Sequence, residues 1–142
     1  VAAPPPVDLA AERRHGDFVQ ALVADGYVVA AHDISDGGLA VALAEMCIAG
    51  RTGASITCPA GGNRHGWAFG EDQGRYVLAV EDGDAVIAAA DKAGIPGITI
   101  GSSNASGELQ FADSDAISVK EMEHLVEMTI PDLMAGPGTI GD

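Results

Sequence analysis

Val28-Val29-Ala30-Ala31-His32-Asp33-Ile34-Ser35-Asp36-Gly37-Gly38-Leu39-Ala40-Val41-Ala42-Leu43-Ala44-Glu45-Met46 reads as a buried strand, a tight polar loop and a buried helix. Four apolar residues lead into His32-Asp33, the loop closes on Gly37-Gly38, and no polar residue follows before Glu45. A short apolar run bounded by turn residues is a strand pattern, and a longer one opening at a loop is a helix pattern. A strand that delivers a Gly-Gly pair to a helix N-terminus leaves backbone N–H groups free, which suits an anion. Gly37 and Gly38 would let such a group approach with no Cβ in the way. Asp33 and Asp36 put carboxylates at the same place, which makes sense if Mg²⁺ sits between them and a phosphate, or if Asp36 caps the helix. A purely structural account stands beside this one: Ser35 or Asp36 as the N-cap, the glycines for close helix–strand packing, and His32 hydrogen-bonded in the loop. No Lys follows the glycines, so the loop is not a P-loop.

Upstream, Asp8 is placed to cap a helix over Leu9 to Asp25, with Gly26 as its left-handed stop. His15, Phe18 and Leu22 share one face, and Gly16 marks a close approach to another element. The first strand is expected over Tyr27–Ala31 and the second helix over Leu39–Ala49. That helix is apolar nearly all round, so it should be covered on several sides. Downstream, Ala54–Cys58 is β-compatible, Pro59–Gly66 is a Gly-rich loop, and Arg75–Val80 is a clean strand. A small helix over Ala85–Ala93 ends at Gly94, with Pro96 blocking continuation. Ile98–Ile100 and Glu108–Phe111 read as strands joined by a hairpin connection over Ser102–Gly107. Ser118 and Glu121 form a capping box that opens a last helix over Val119–Met128, and Pro131 should end it.

This order predicts an α+β fold, with α/β/α layers around a mixed sheet. One domain is expected over residues 8–135, flanked by a Pro-rich linker over 1–7 and a loose tail over 136–142. The opening Val1-Ala2-Ala3-Pro4-Pro5-Pro6 suggests a piece cut from a longer protein near a linker.

The composition narrows the function classes. The chain has 142 residues, 47% of them hydrophobic and 20% charged, which is globular. Aromatics are 4%, so the core must be built from Ala, Val, Ile and Leu. A net charge of −14 with only seven basic residues argues against nucleic acid as a partner. No apolar run approaches the length of a membrane span, so no membrane partner is expected. Cys47 and Cys58 lack metal-ligand spacing and read as reduced cysteines of a cytoplasmic protein.

A second polar cluster, Phe69-Gly70-Glu71-Asp72-Gln73-Gly74-Arg75, precedes the clean strand. Glu71, Gln73 and Arg75 have the chemistry to face a metal-bound phosphate or a polar substrate. An ordinary acidic turn with Arg75 paired to Glu71 accounts for the same residues.

Both clusters carry a resemblance. Ala31 to Met46 is similar to the HDxSxGGLxxALAEM signature of phosphoribosylformylglycinamidine synthase, the PurL synthetase subunit of purine biosynthesis. Phe69-Gly70-Glu71-Asp72-Gln73-Gly74-Arg75-Tyr76 resembles that family's FGExQxRY motif. Pro4 to Leu9, Gly16-Asp17-Phe18 and Ile100-Gly101 fit as well, whereas Pro59–Gly66 and the acidic tail match no family motif. The resemblance implies an AIR-synthase-related C-terminal domain, like the C-terminal domain of PurM and partly ferredoxin-like. It implies that His32, Asp33, Ser35, Asp36, Gly37, Gly38, Glu71, Gln73 and Arg75 face substrate or phosphate. ATP and Mg²⁺ would serve the full-length enzyme, a ligase forming an amidine from formylglycinamide ribonucleotide (FGAR) with glutamine-derived ammonia. The family's catalytic histidines lie in other domains, so this chain should be inactive alone. Implied partners are the remaining domains of the same polypeptide, a glutaminase subunit and a small bridging subunit. Two alternatives remain. The chain resembles less well the equivalent domain of thiamine-phosphate kinase, selenophosphate synthetase or aminoimidazole ribonucleotide synthetase, which His32-Asp33 with Glu71-x-Gln73 disfavours. Or it is a structural and interaction lobe that touches no ligand.

Overall fold

The structure, a computed structural model, describes residues 7–135. Eleven elements follow in order: α1 (Leu9–Ala24), β1 (Val28–Asp33), α2 (Gly38–Gly50), β2 (Gly53–Ile56), α3 (Arg64–Phe69), β3 (Tyr76–Val80), α4 (Gly83–Ala93), β4 (Gly101–Asn104), β5 (Glu108–Phe111), β6 (Ile117–Ser118) and α5 (Val119–Ala135). This is an α+β fold, but its strands form two sheets. β1 and β3 pair antiparallel as a ribbon, and a mixed sheet has the order β4-β2-β5-β6. Within the mixed sheet β2 and β5 are parallel and the other pairs antiparallel.

Local chemistry places the helix ends. The Asp8 carboxylate accepts hydrogen bonds from the backbone N–H groups of Ala10 and Ala11 at 3.1 and 3.0 Å, starting α1. The bond from Ala11 is the main reason its carboxyl titrates below the ordinary range. Ser118 does the same for α5, accepting from the Glu121 N–H at 3.1 Å. Asp82 caps α4 through the Ala85 N–H at 3.0 Å, and Gly94 closes it at φ +67°.

The core centres on α2. Leu39, Ala42, Leu43 and Cys47 meet Ala54, Ile56 and Leu109 of the mixed sheet and Val119 and Met122 of α5. Ile34 and Val77 join it from the ribbon side. Burial among these apolar groups raises the Cys47 thiol's pKa, because the thiolate loses its water.

Several expectations change. The first strand is not buried: it runs over Val28–Asp33, and only Val28 and His32 are half-buried. A two-stranded ribbon has neighbours on one side only, so an apolar sequence does not hide it. Ser102–Gly107 is not a hairpin connection. β4 begins at Gly101 rather than Ile98 and lies on one edge of β2, while β5 lies on the other. Gly53 allows that crossing, since a Cβ there would stand 2.7 Å from the Glu108 carbonyl oxygen. The end of the Gly-rich loop folds into α3, because Asn63 accepts from the Gly66 N–H at 3.1 Å. Pro131 does not end α5, which continues to Ala135. The carbonyl its ring leaves unbonded belongs to Glu127, an exposed residue that water can serve. The linker expected over 1–7, apart from Val7, and the tail over 136–142 lie outside the described residues.

Candidate functional site

The β1–β3 ribbon joins the two sequence motifs. Asp33 pairs with Tyr76 at its end, and the Ile34 N–H donates to the Arg75 carbonyl at 2.9 Å. The chain beyond each strand therefore leaves side by side: Ile34–Gly38 from β1 and Gly70–Gly74 into β3. The loops then bond to each other, with the Gly37 N–H donating to Glu71 Oε1 at 2.9 Å.

That bond revises the expected cap of α2. Neither Ser35 nor Asp36 serves as N-cap; Gly37 does, in the left-handed region at φ +82°, with no side-chain cap of its own. The Glu71 carboxylate supplies the acceptor from the other motif, where negative charge suits the helix dipole. Gly38 donates to the Ser35 carbonyl at 3.0 Å. A Cβ on Gly38 would lie 2.6 Å from the Phe69 carbonyl carbon and 2.9 Å from the Ala68 oxygen. Gly38 thus serves a close approach of α2 to α3, a helix–helix contact rather than the expected helix–strand one.

His32 is held at both ring nitrogens. Nδ1 lies 2.6 Å from the Asp33 carbonyl oxygen and Nε2 lies 3.0 Å from Glu45 Oε2. Glu45 was not among the expected site residues. Its signal was its position as the first polar residue in an otherwise apolar helix run.

Arg75 does not pair with Glu71. Its guanidinium donates to the Gly70 carbonyl at 3.2 Å and the Trp67 carbonyl at 3.5 Å, and Asp72 Oδ2 lies 3.7 Å away. It neutralises the carbonyl end of α3 and is committed there. Ser35, Asp36 and Gln73 stand exposed around the joined loops, as does Asp33. From below, α1 braces the second motif: His15 Nδ1 is 2.9 Å from the Gly74 carbonyl oxygen, and Gly74 lies against Glu12. The close approach marked by Gly16 is to the Tyr76 hydroxyl, 3.3 Å from where a Cβ would be.

The rim formed by Asp33, Asp36, Glu71 and Asp72 is negative, and its one arginine is tied to carbonyls. A bare phosphate is repelled there. Among the described residues no three His, Cys, Asp or Glu side chains converge as a metal centre. The lobe by itself does not fit Mg²⁺ or a nucleotide phosphate; it offers one acidic wall. A shallow cleft of about 380 Å³ lies beside this wall, lined by Cys58, Arg64, His65 and Phe111, and reaches the site only at Phe69. No helix among the described residues is long and apolar enough to cross a membrane.

Comparison with known proteins gives the family of the fold. The profile of the family described as AIR synthase related protein, C-terminal domain, matches residues 2–114. The chain is 50% identical over 135 residues to phosphoribosylformylglycinamidine synthase subunit PurL of Methylocella silvestris, covering 94% of this chain and 18% of that protein. It is 49% identical over 136 residues to the subunit of the same name from Rhodospirillum rubrum, with the same coverage. The chain therefore spans about a fifth of the length of these relatives. Among solved structures, Thermotoga maritima PurL complexed with FGAR aligns with a TM-score of 0.68 at 19% identity, covering 82% of this chain and 21% of that one. PurLQS from Thermotoga maritima aligns at 0.69 and 18% identity, covering 83% and 22%. At such identities the likeness is one of fold. With its motifs joined across one ribbon and the family profile spanning most of its length, the chain belongs to the AIR synthase related protein family, as a C-terminal domain.

Proposed function

We propose that this chain is the C-terminal domain, over residues 8–135, of an ATP-dependent phosphoribosylformylglycinamidine synthase of de novo purine biosynthesis. The whole ligase converts FGAR, ATP and glutamine-derived ammonia to the amidine, ADP and phosphate in the cytoplasm. The observation that carries this reading is the 50% identity to the Methylocella silvestris subunit across 94% of the chain. Neighbours complexed with ATP, ADP and AMPPCP support nucleotide use by the whole enzyme. The PurLQS neighbour supports a glutaminase and a small bridging subunit as partners.

Within that enzyme the joined loops form one wall of the substrate cleft. His32, Asp33, Ser35, Asp36, Gly37, Gly38, Glu71, Gln73 and Arg75 make up this wall in different ways. Asp33, Asp36 and Gln73 are open to a ligand. Glu71, Arg75 and the glycines hold the wall in shape, and His32 ties it to α2. ATP and Mg²⁺ need ligands from other domains, in keeping with the negative rim. The lobe alone is accordingly inactive: amidine formation by the isolated chain, given ATP, FGAR and ammonia, would overturn this assignment.

A second reading, a purely structural lobe, is favoured by the internal commitment of Glu71 and Arg75. Substituting the exposed Asp33→Asn and Asp36→Ala in the full-length enzyme separates the two. A fall in kcat/KM of tenfold or more with unchanged melting temperature supports a ligand-facing wall. Unchanged kinetics leaves the structural lobe.

A further inference from the structure

Asp33 and Ile34 share the peptide at which β1 ends and the first loop begins, and that peptide is bonded on both sides. Its N–H, that of Ile34, donates to the Arg75 carbonyl at 2.9 Å. Its carbonyl, that of Asp33, accepts from His32 Nδ1 at 2.6 Å. A peptide unit is planar, so fixing its two polar groups fixes the direction in which the chain leaves the strand. The imidazole can hold the carbonyl only while the ring stays turned toward it. Its other end is held by Glu45 Oε2, 3.0 Å from Nε2, and Glu45 belongs to α2, the hub of the core. Both partners of the ring are acceptors, so both nitrogens donate, as they do in the doubly protonated ring. Hydrogen bonds therefore run in series from α2 through His32 and the Asp33–Ile34 peptide to the second motif. The far end of the loop has a separate anchor, the Gly37 N–H on Glu71. Ser35 and Asp36 hang between the two anchors, and only the first depends on a side chain of α2.

The solvent around this pair points to geometry rather than stability. The Glu45 side chain is 54% exposed, and an ion pair so open to water contributes little to folding. Through the ring, however, the same pair decides where a planar peptide points.

We propose that Glu45 is a positioning residue, which acts through His32 to set the direction in which Ser35 and Asp36 leave β1. Its bearing on catalysis rests on reading the joined loops as one wall of the substrate cleft.

The test compares Glu45→Leu with Glu45→Gln in the full-length enzyme. Glutamine keeps a hydrogen-bonding group at the same reach, whereas leucine keeps only the bulk. Amide hydrogen exchange over Ile34–Gly38 should be about fivefold faster in Glu45→Leu, and at the wild-type rate in Glu45→Gln. Melting temperatures should not change. kcat/KM should fall about fivefold in Glu45→Leu and recover in Glu45→Gln. Unchanged exchange in Glu45→Leu overturns the proposal, as does equal acceleration in both variants. Acceleration along the whole chain with a lowered melting temperature also overturns it, since Glu45 then only stabilises the fold. Faster exchange confined to the loop, with kcat/KM unchanged, supports the hold on the loop and refutes the cleft-wall reading instead.

Discussion

Gly38→Ala tests the approach of α2 to α3 most sharply. The new Cβ would stand 2.6 and 2.7 Å from the Phe69 carbonyl carbon and Cα, and 2.9 Å from the Ala68 oxygen. All three are backbone atoms, so no rotamer change relieves the overlap. Forcing such a contact costs about 1–3 kcal/mol. Gly38 also sits at φ +71°, where an L residue costs a further ~1–2 kcal/mol. Gly94→Ala is the matched control: its φ is +67°, but a Cβ there meets nothing within 4 Å. Urea unfolding followed by circular dichroism should show Gly38→Ala destabilised by about 2–5 kcal/mol and Gly94→Ala by about 1–2. The gap between them isolates the contact with α3. If both lose the same stability with the same urea dependence, α2 does not lie against the Phe69 backbone and the joined-loop geometry is wrong.

Other expectations concern the caps and the thiols. Ser118→Ala removes the acceptor for the Glu121 N–H and should cost about 0.5–2 kcal/mol, read from the urea midpoint. Cys47 should react with a thiol reagent far more slowly than Cys58 in the native state, and the two rates should converge in denaturant. Because the buried Cys47 thiol titrates above its unfolded value, its contribution is fully present below the ordinary cysteine range and lost as pH rises through the folded value. Cys47→Ala should flatten that alkaline slope. Asp8 has the opposite sign: its folded carboxyl titrates low, so its contribution holds above the ordinary carboxylate range and is lost as pH falls through the folded value. Asp8→Asn should weaken that acid dependence, as measured by melting temperature between neutral and acid pH.

Local signals in the sequence are legible where local chemistry decides. Asp8, Ser118 and Gly94 end their helices as their residue types suggest, and the apolar run from Leu39 becomes the hub of the core. What could not be read was pairing across the chain. The apolar Val28–Ala31 run looks the same whether its sheet has two strands or six, so its exposure was invisible. β4 and β5 lie near each other in sequence, yet β2 parts them, and only Gly53 at the crossing hinted at it. Both motifs were legible as motifs. That Glu71 caps the helix opened by Gly37 was not, because a cap from a distant loop has no sequence spacing.

The insertion of β2 between β4 and β5 also bears on how the chain folds. β2 meets no partner until Gly101–Asn104 and Glu108–Phe111 have been made. At a synthesis rate of about 5–20 residues per second, its edges wait roughly 3–10 s on a nascent chain. The strand that waits is Gly53-Ala54-Ser55-Ile56, short and poor in large apolar side chains, and hence a weak template for pairing with another molecule. The strand that waits longest for its partners is therefore one with little to stick to another molecule.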